Sequence, residues 1–466
     1  MNRRQLLKLV AASGLGVAAP GLMRMGFAQG IRYEGPYWIF IHAGGGWDPR
    51  FHFDPTTNIE QNTLYTEIGT VGGINFAPLP IDLDAFGLVQ APPEPCVEAP
   101  PPAADAGAAG AGGAPAMEEC PPPPPAIVNP LITNEEFLTR HGSKMLVING
   151  VDMGTNSHDE GSRAILSGAT PEGSPAIGAL LAAQYGATQP IPFISFGGYD
   201  NTFGLSPLTR VGSSGALRDI AFPNVVSPDN MDSDDFHTPN TYARIRAAQG
   251  ARLDSLIATQ HLPNLLRAKE ALLKARASDS DLQALQIPDL IEFDGNTGDM
   301  ERMVQGAQLA VAGFQAGLTV SANLSIGGFD THGNHDADQS RQMIKLISGI
   351  GHILDLIETQ GMSGKVNILV GSDFGRTPHY NENNGKDHWP ISSVLAFGPN
   401  VQGGRVIGAS TADQLAQSVD PTTLAVGSGI KITPAVIHRA LRNMAGIDTA
   451  LQERFPIVGE DLPLFG

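Results

Sequence analysis

Residues 371–390 read GSDFGRTPHYNENNGKDHWP, and the apolar run VNILV leads into them. Within this one loop stand Asp373, Arg376, His379, Asp387 and His388. Mixed carboxylate and imidazole donors suit zinc, iron or manganese better than calcium, which prefers oxygen alone. A guanidinium beside them can grip the oxygens of an anion. Three more stretches have a similar make-up: HAGGGWD with Asp48, GVDMGTNSHDEG with Asp152, Thr155, Ser157, His158 and Asp159, and GGFDTHGNHD with Asp330, His332 and His335. Taken one at a time, an Asp after a strand is an ordinary turn former or helix cap. The recurrence of the pattern points to a shared metal site.

All four stretches follow apolar runs of strand type: YWIFI at 37–41, KMLVIN at 144–149, LTVSANLSI at 318–326 and VNILV at 366–370. IPFISF at 191–196 reads as a further strand. Helical patterning lies between them, near 158–167, across 250–280 and at 301–316. It is clearest across 337–359, where Met343, Leu346, Ile347, Ile350, Ile353, Leu354 and Ile357 recur at close to the helical period. Helices alternating with buried strands predict an α/β fold. In such sheets ligands gather beyond the carboxyl ends of the strands. Asp-Phe-Gly at 373–375 is not a kinase signature here, because the glycine-rich nucleotide loop, its lysine and the catalytic-loop motif are missing.

The chain holds 466 residues, with 29 Lys and Arg against 47 Asp and Glu, a formal net charge of -18. That balance argues against nucleic acid or an anionic membrane as a general partner. Residues 1–28 read as a twin-arginine export signal. Arg3 and Arg4 precede an apolar stretch, and FAQ supplies a small-residue cleavage site. The expectation is a periplasmic protein handled by the twin-arginine export machinery. No later stretch reaches the roughly 18 apolar residues that span a bilayer, so no permanent membrane anchor is expected. Residues 29–466 then form one domain, interrupted at 91–126 by a Pro-, Gly- and Ala-rich insert without core-forming side chains. The only cysteines, Cys96 and Cys120, bracket that insert and are expected to pair in an oxidising compartment.

In their order along the chain, GGGWD, NSHDEG, GGFDTH, SDFGRTP and GKDHWP resemble the family called domain of unknown function 1501. The resemblance covers nearly all of the chain outside the insert and the export signal. It implies a relationship to the alkaline phosphatase and sulfatase superfamily. The implied fold is a three-layer α/β/α sandwich around a mostly parallel sheet, with one or two divalent ions, Zn, Fe or Mn. The same resemblance assigns Asp48, Asp330, His332, Asp373 and His388 as metal ligands and Ser157 as nucleophile, with Thr155 as its alternative. Arg376 then holds ester oxygens, and His158 or His335 moves a proton, with His42 near the ligands. Two departures stand out. Phe374 occupies a position where alkaline phosphatases carry His, and SHDEGSRAILSG lacks the cysteine that sulfatases convert to formylglycine.

The reading is a periplasmic metal-dependent hydrolase of phosphate, phosphonate or sulfate esters, acting on a small anionic ester. The rival is a non-catalytic binding or assembly protein on a hydrolase-like scaffold. One prediction belongs to the sequence alone. Mass spectrometry of periplasmic material without reductant is expected to find Cys96 joined to Cys120, and two free thiols there would refute the pairing.

Overall fold

The computed structural model describes residues 33–88, 129–187, 189–212, 222–227, 233–263, 265–266, 269, 285 and 288–466. The expected export signal, the insert with Cys96 and Cys120, and most of LPNLLRAKEALLKA lie outside the described residues. The centre is an eight-stranded sheet. Its strands are β1 (Tyr37–Ala43), β2 (Met145–Asp152), β3 (Phe193–Ser195), β4 (Leu208–Arg210), β5 (Ser321–Ile326), β6 (Val366–Ser372), β7 (Ile391–Phe397) and β8 (Arg405–Ile407). Their order across the sheet is β8-β2-β7-β6-β1-β5-β3-β4. Every pairing is parallel except those of β7, which runs antiparallel between β2 and β6.

Among the described residues the α-helices are α1 (Asn134–His141), α2 (His158–Ser167), α3 (Ile177–Tyr185), α4 (Pro239–Ala258), α5 (Gly298–Gln315), α6 (His335–Thr359), α7 (Pro434–Met444) and α8 (Thr449–Arg454). Side chains alternate across a strand, so β1 sends Ile39 and Ile41 one way and Trp38 and Phe40 the other. Ile39 and Ile41 pack into a core with Phe137 of α1, Met300 and Val304 of α5, and Leu346 and Ile350 of α6. Trp38 and Phe40 enter a second core with Ile165 of α2, Leu180 of α3 and Ile437 of α7. Both faces of the sheet are therefore covered, which is why β1 reads as an unbroken apolar run. The arrangement is an α/β fold, as the alternation of strand and helix predicts, with the three layers around a mostly parallel sheet that the family resemblance implies.

The strand β7, ISSVLAF, was not read from the sequence. It lies centrally because the chain leaves β6 at its carboxyl end and returns directly alongside, with Val394 opposite Gly371. An antiparallel neighbour needs no crossover helix. Helix α4 starts earlier than the patterning suggests and buries only Leu253. No helix among the described residues is long and apolar enough to cross a membrane.

Histidine burial makes the fold acid-sensitive. Burial pushes the His52 imidazole down to about 3 and His438 down to about 4. Neither ring nitrogen of His52 has a partner among the described residues, whereas His438 Nε2 donates to Ile165 O, 2.9 Å away. These rings stay neutral in the folded chain while the unfolded chain protonates them below about pH 6.5. The unfolded state then binds more protons, so stability falls as pH drops from that value toward 4 and 3. Thermal melts are expected to show a falling Tm between pH 7.5 and 5, with a shallower fall in His52→Leu. Equal slopes in the two proteins would exclude His52 as a source.

Candidate metal centre

The carboxyl ends of β1, β2, β5 and β6 deliver the polar residues to one edge. His42 is within the end of β1, followed by the turn 44–46. There Gly45 has a φ of +119°, and a Cβ on it would lie 2.5 Å from the Asp330 amide nitrogen. Only glycine lets this turn pass under the loop after β5. His158 begins α2, and Asp330 and His332 follow β5. After β6, the Gly375–Arg376 and His388–Trp389 segments pair antiparallel, with His388 opposite Arg376. This short ribbon folds His388 back toward the edge that Asp373 left.

Around Asp330, imidazole Nε2 atoms face inward. His158 Nε2 is 3.4 Å from Asp330 Oδ2, and the Nε2 atoms of His332 and His388 are 3.1 and 3.2 Å from Oδ1. The last two nitrogens are 3.0 Å from each other. Ligand atoms of His158, Asp330 and His388 all lie within 4.8 Å of one another. Ligand atoms on a tetrahedral ion with bonds near 2.1 Å are about 3.4 Å apart.

The outward nitrogens decide the tautomers. His158 Nδ1 donates to Asp373 Oδ2 at 2.8 Å, His332 Nδ1 to Asp387 Oδ1 at 2.8 Å, and His388 Nδ1 to the Asn156 carbonyl at 2.8 Å. A neutral imidazole that donates through Nδ1 keeps a lone pair on Nε2. Three lone pairs thus converge on a carboxylate, with no proton assigned between them. One added proton bridges a single pair. A divalent ion could satisfy His158, Asp330 and His388 together, and carboxylate or carbonyl partners behind the rings are the usual backing of metal-bound histidines. The donor set and its spacing therefore make a candidate site for a divalent metal.

The remaining candidates have other roles. Asp373 is buried, and both its oxygens are taken, by His42 Nε2 on one side and by His158 Nδ1 and the Gly45 amide on the other. Burial alone raises its carboxyl; the bond from His42, then those from His158 and Gly45, outweigh burial and hold it below the usual range. Its place is behind His158, not among the inward-facing groups.

Arg376 corrects the expectation of an anion clamp. It is fully buried, with Nε donating to Gly46 O at 2.8 Å and Nη1 to Lys386 O at 3.0 Å. Its Nη2 is shared between Gly45 O and Asp330 Oδ1, the latter at 2.6 Å. Four of its five N–H groups are spent on these acceptors, and its full burial keeps the guanidinium from an ester in solvent. Partial burial raises the Asp330 carboxyl, but the bond and charge of Arg376 bring it below the ordinary range.

Asp48 is likewise corrected. It is completely buried and accepts from Lys386 Nζ at 2.6 Å, His335 Nε2 at 3.0 Å and the Arg50 amide at 2.9 Å. Burial raises its carboxyl, and the Lys386 ammonium, then His335, bring it far below the usual range. Asp48 thus already has its cation, a lysine that sequence reasoning passed over. His335 is pinned between Asp48 and the Thr331 hydroxyl, 2.7 Å away, and cannot shuttle protons to solvent. Thr155 donates to Glu160 at 2.6 Å and accepts from the Ser157 amide at 3.1 Å, which spends its hydroxyl on the entry to α2. Ser157 itself is exposed at the N-cap of α2 and makes no side-chain cap bond. His379 is exposed. Asp387 and Asn156 were not singled out as the partners that orient His332 and His388; only their nearness to the histidine motifs signals them.

The molecule is thus an α/β protein carrying a histidine–carboxylate cluster at the carboxyl edge of its sheet. Residues 136–426 match the family model described as Protein of unknown function (DUF1501), and the chain belongs to that family. No curated protein matches. Among solved structures it is similar to Ps i-CgsB in complex with k-i-k-neocarrahexaose, at 10% identity and a TM-score of 0.36, covering 70% of this chain and 69% of that one. It is also similar to alkaline phosphatase from the Antarctic bacterium TAB5, at 9% identity and a TM-score of 0.30, covering 78% of this chain and 92% of that one. The PsFucS1 sulfatase from Pseudoalteromonas sp. is 11% identical with a TM-score of 0.30, covering 70% of this chain and 67% of that one.

Breaking a buried ion pair leaves an uncompensated charge. Lys386→Met is expected to lower stability by about 3–5 kcal/mol. Adding Asp48→Asn is expected to recover a large part of that loss. Urea unfolding at pH 7 measures both, and a loss under about 1 kcal/mol in the single variant would contradict the pairing's importance.

Proposed function

We propose that this protein is a metal-dependent hydrolase of phosphate, phosphonate or sulfate esters, exported to the periplasm by its twin-arginine signal. The convergence of three imidazole lone pairs on Asp330 carries this reading. His158, Asp330 and His388 would hold the ion, with His332 beside them. A divalent ion held there would polarise an ester and lower the pKa of a nearby hydroxyl or water.

The chain's own groups supply the rest. Asp373, Asp387 and the Asn156 carbonyl fix the three imidazoles in orientation and tautomer. Arg376 fixes Asp330 and lowers its proton affinity, so that it stays ionised. Ser157 offers an exposed hydroxyl at the start of α2, where free backbone N–H groups favour an alkoxide or the oxygens of an ester. The Phe374 ring packs 4.3 Å from His388 and 4.9 Å from His158, centroid to centroid, and fills the space beside the cluster with an apolar wall. With Asp48 neutralised by Lys386, the arrangement favours one ion over two.

Elemental analysis of purified protein is expected to find zinc, iron or manganese at about one ion per chain, and His388→Ala and Asp330→Asn are expected to lose most of it. Ser157→Ala is expected to keep the metal while ester turnover falls by roughly a thousandfold or more. Metal-free wild-type protein would remove the site. Wild-type turnover in Ser157→Ala would remove Ser157 as nucleophile. Bound metal without turnover across phosphate, phosphonate and sulfate panels would favour a binding protein.

A further inference from the structure

A second feature adjoins this centre. The ribbon that returns His388 also walls a cleft of about 420 Å³, lined by Pro378, Tyr380, Asp387, Trp389, Asp413 and Leu415 among others. Asp387 is common to both: its carboxylate holds His332 Nδ1 and also borders the cleft. Trp389 follows His388 directly. The cleft is thus joined to the centre through the Asp387 carboxylate, while His158, Asp330, His332 and His388 are outside its lining.

The lining has a definite chemistry. Trp389 and Tyr380 contribute aromatic surface, and Pro378 and Leu415 contribute apolar surface. The cleft has two carboxylates, from Asp387 and Asp413, and no lysine or arginine. The His379 imidazole is the sole titratable nitrogen among the lining side chains. Lys386 lies 5.1 Å from the Tyr380 ring but is buried and bound to Asp48, so it does not neutralise the cleft. Asp387 shares its charge with His332 and Asn381. Asp413 is exposed and has no ion-pair partner among the described residues.

Aromatic faces beside an unpaired carboxylate, here Asp413, attract an alkylammonium group and disfavour an anion. We propose that this cleft is the subsite for the alcohol portion of the substrate, and that it selects an alcohol bearing a quaternary or primary ammonium group. The proposal rests on the reading of the adjoining centre as an ester hydrolase. It divides the substrate into an anionic ester head at the histidine cluster and a cationic tail beside Trp389.

The test uses the full metal-loaded protein with choline and its uncharged isostere, 3,3-dimethylbutan-1-ol. Trp38 and Trp47 are fully buried whereas Trp389 is partly exposed, so a ligand-induced change in tryptophan emission reports on the cleft. Choline is expected to bind and shift that emission, and the isostere to bind at least about tenfold more weakly. Asp413→Lys is expected to weaken choline by at least about tenfold with metal content unchanged. Trp389→Leu is expected to abolish the emission change and weaken choline by calorimetry. Equal affinity for the two probes, or unchanged choline binding in Asp413→Lys, would overturn the proposal. Ester turnover without choline binding would overturn this subsite while leaving the hydrolase reading intact. Choline binding that responds to Asp413→Lys supports a cation site even where the ester panel shows no turnover.

Discussion

Arg376 ties the functional edge together. Its guanidinium meets the carbonyls of Gly45 and Gly46 after the first strand, the carbonyl of Lys386 in the returning ribbon, and the carboxylate of Asp330 after the fifth strand. Three separate pieces of chain are held to one planar fork. Arginine suits this task because its donors have fixed geometry and its charge persists at any physiological pH. A buried guanidinium needs partners for all its donors, and here those partners are the loops of the site. The cost of hiding the charge is thus met by the same contacts that set the spacing of the histidines.

From that anchor the other arrangements follow. Asp330 is kept ionised and oriented, so the imidazoles around it have a fixed negative centre. Each imidazole is held from behind by an acceptor, and the inward nitrogens are left with lone pairs. The close passage of α2 against the end of β6 brings His158 onto Asp373. A Cβ on Gly161 would collide with the Asp373 carbonyl, so glycine at this helix position sets the approach. Meanwhile Asp48, Lys386 and His335 form a separate buried set that braces the loop beneath. Its charge is closed internally, which leaves the exposed cluster as the candidate metal site.

Much of this was legible in the sequence. Apolar runs alternating with helical patterning gave the α/β class, and the polar residues just beyond those runs marked the active edge. The motifs NSHDEG, GGFDTH and GKDHW contain the residues that converge. The strand at 391–397 was harder to see. Its run ISSVLAF carries serines and directly follows a polar loop, and nothing local says that it inserts antiparallel beside β6. That insertion is what turns the loop 373–390 into a hairpin-like return and places His388 near Asp330.

The sequence by itself determined which side chains reach the carboxyl edge, because strand ends and side-chain types are local properties. Which of those side chains face one another was decided only by the tertiary structure. Asp48 and Asp330 look alike in sequence, each an aspartate shortly after an apolar strand. One is closed off by Lys386, more than three hundred residues away along the chain, and the other meets three imidazoles from different loops. Arg376 resembles an anion clamp until its donors are traced to backbone carbonyls. The physical reason is common to all three cases. A charge takes its role from whatever compensates it, and that compensation comes across the fold from residues whose distance no local pattern encodes.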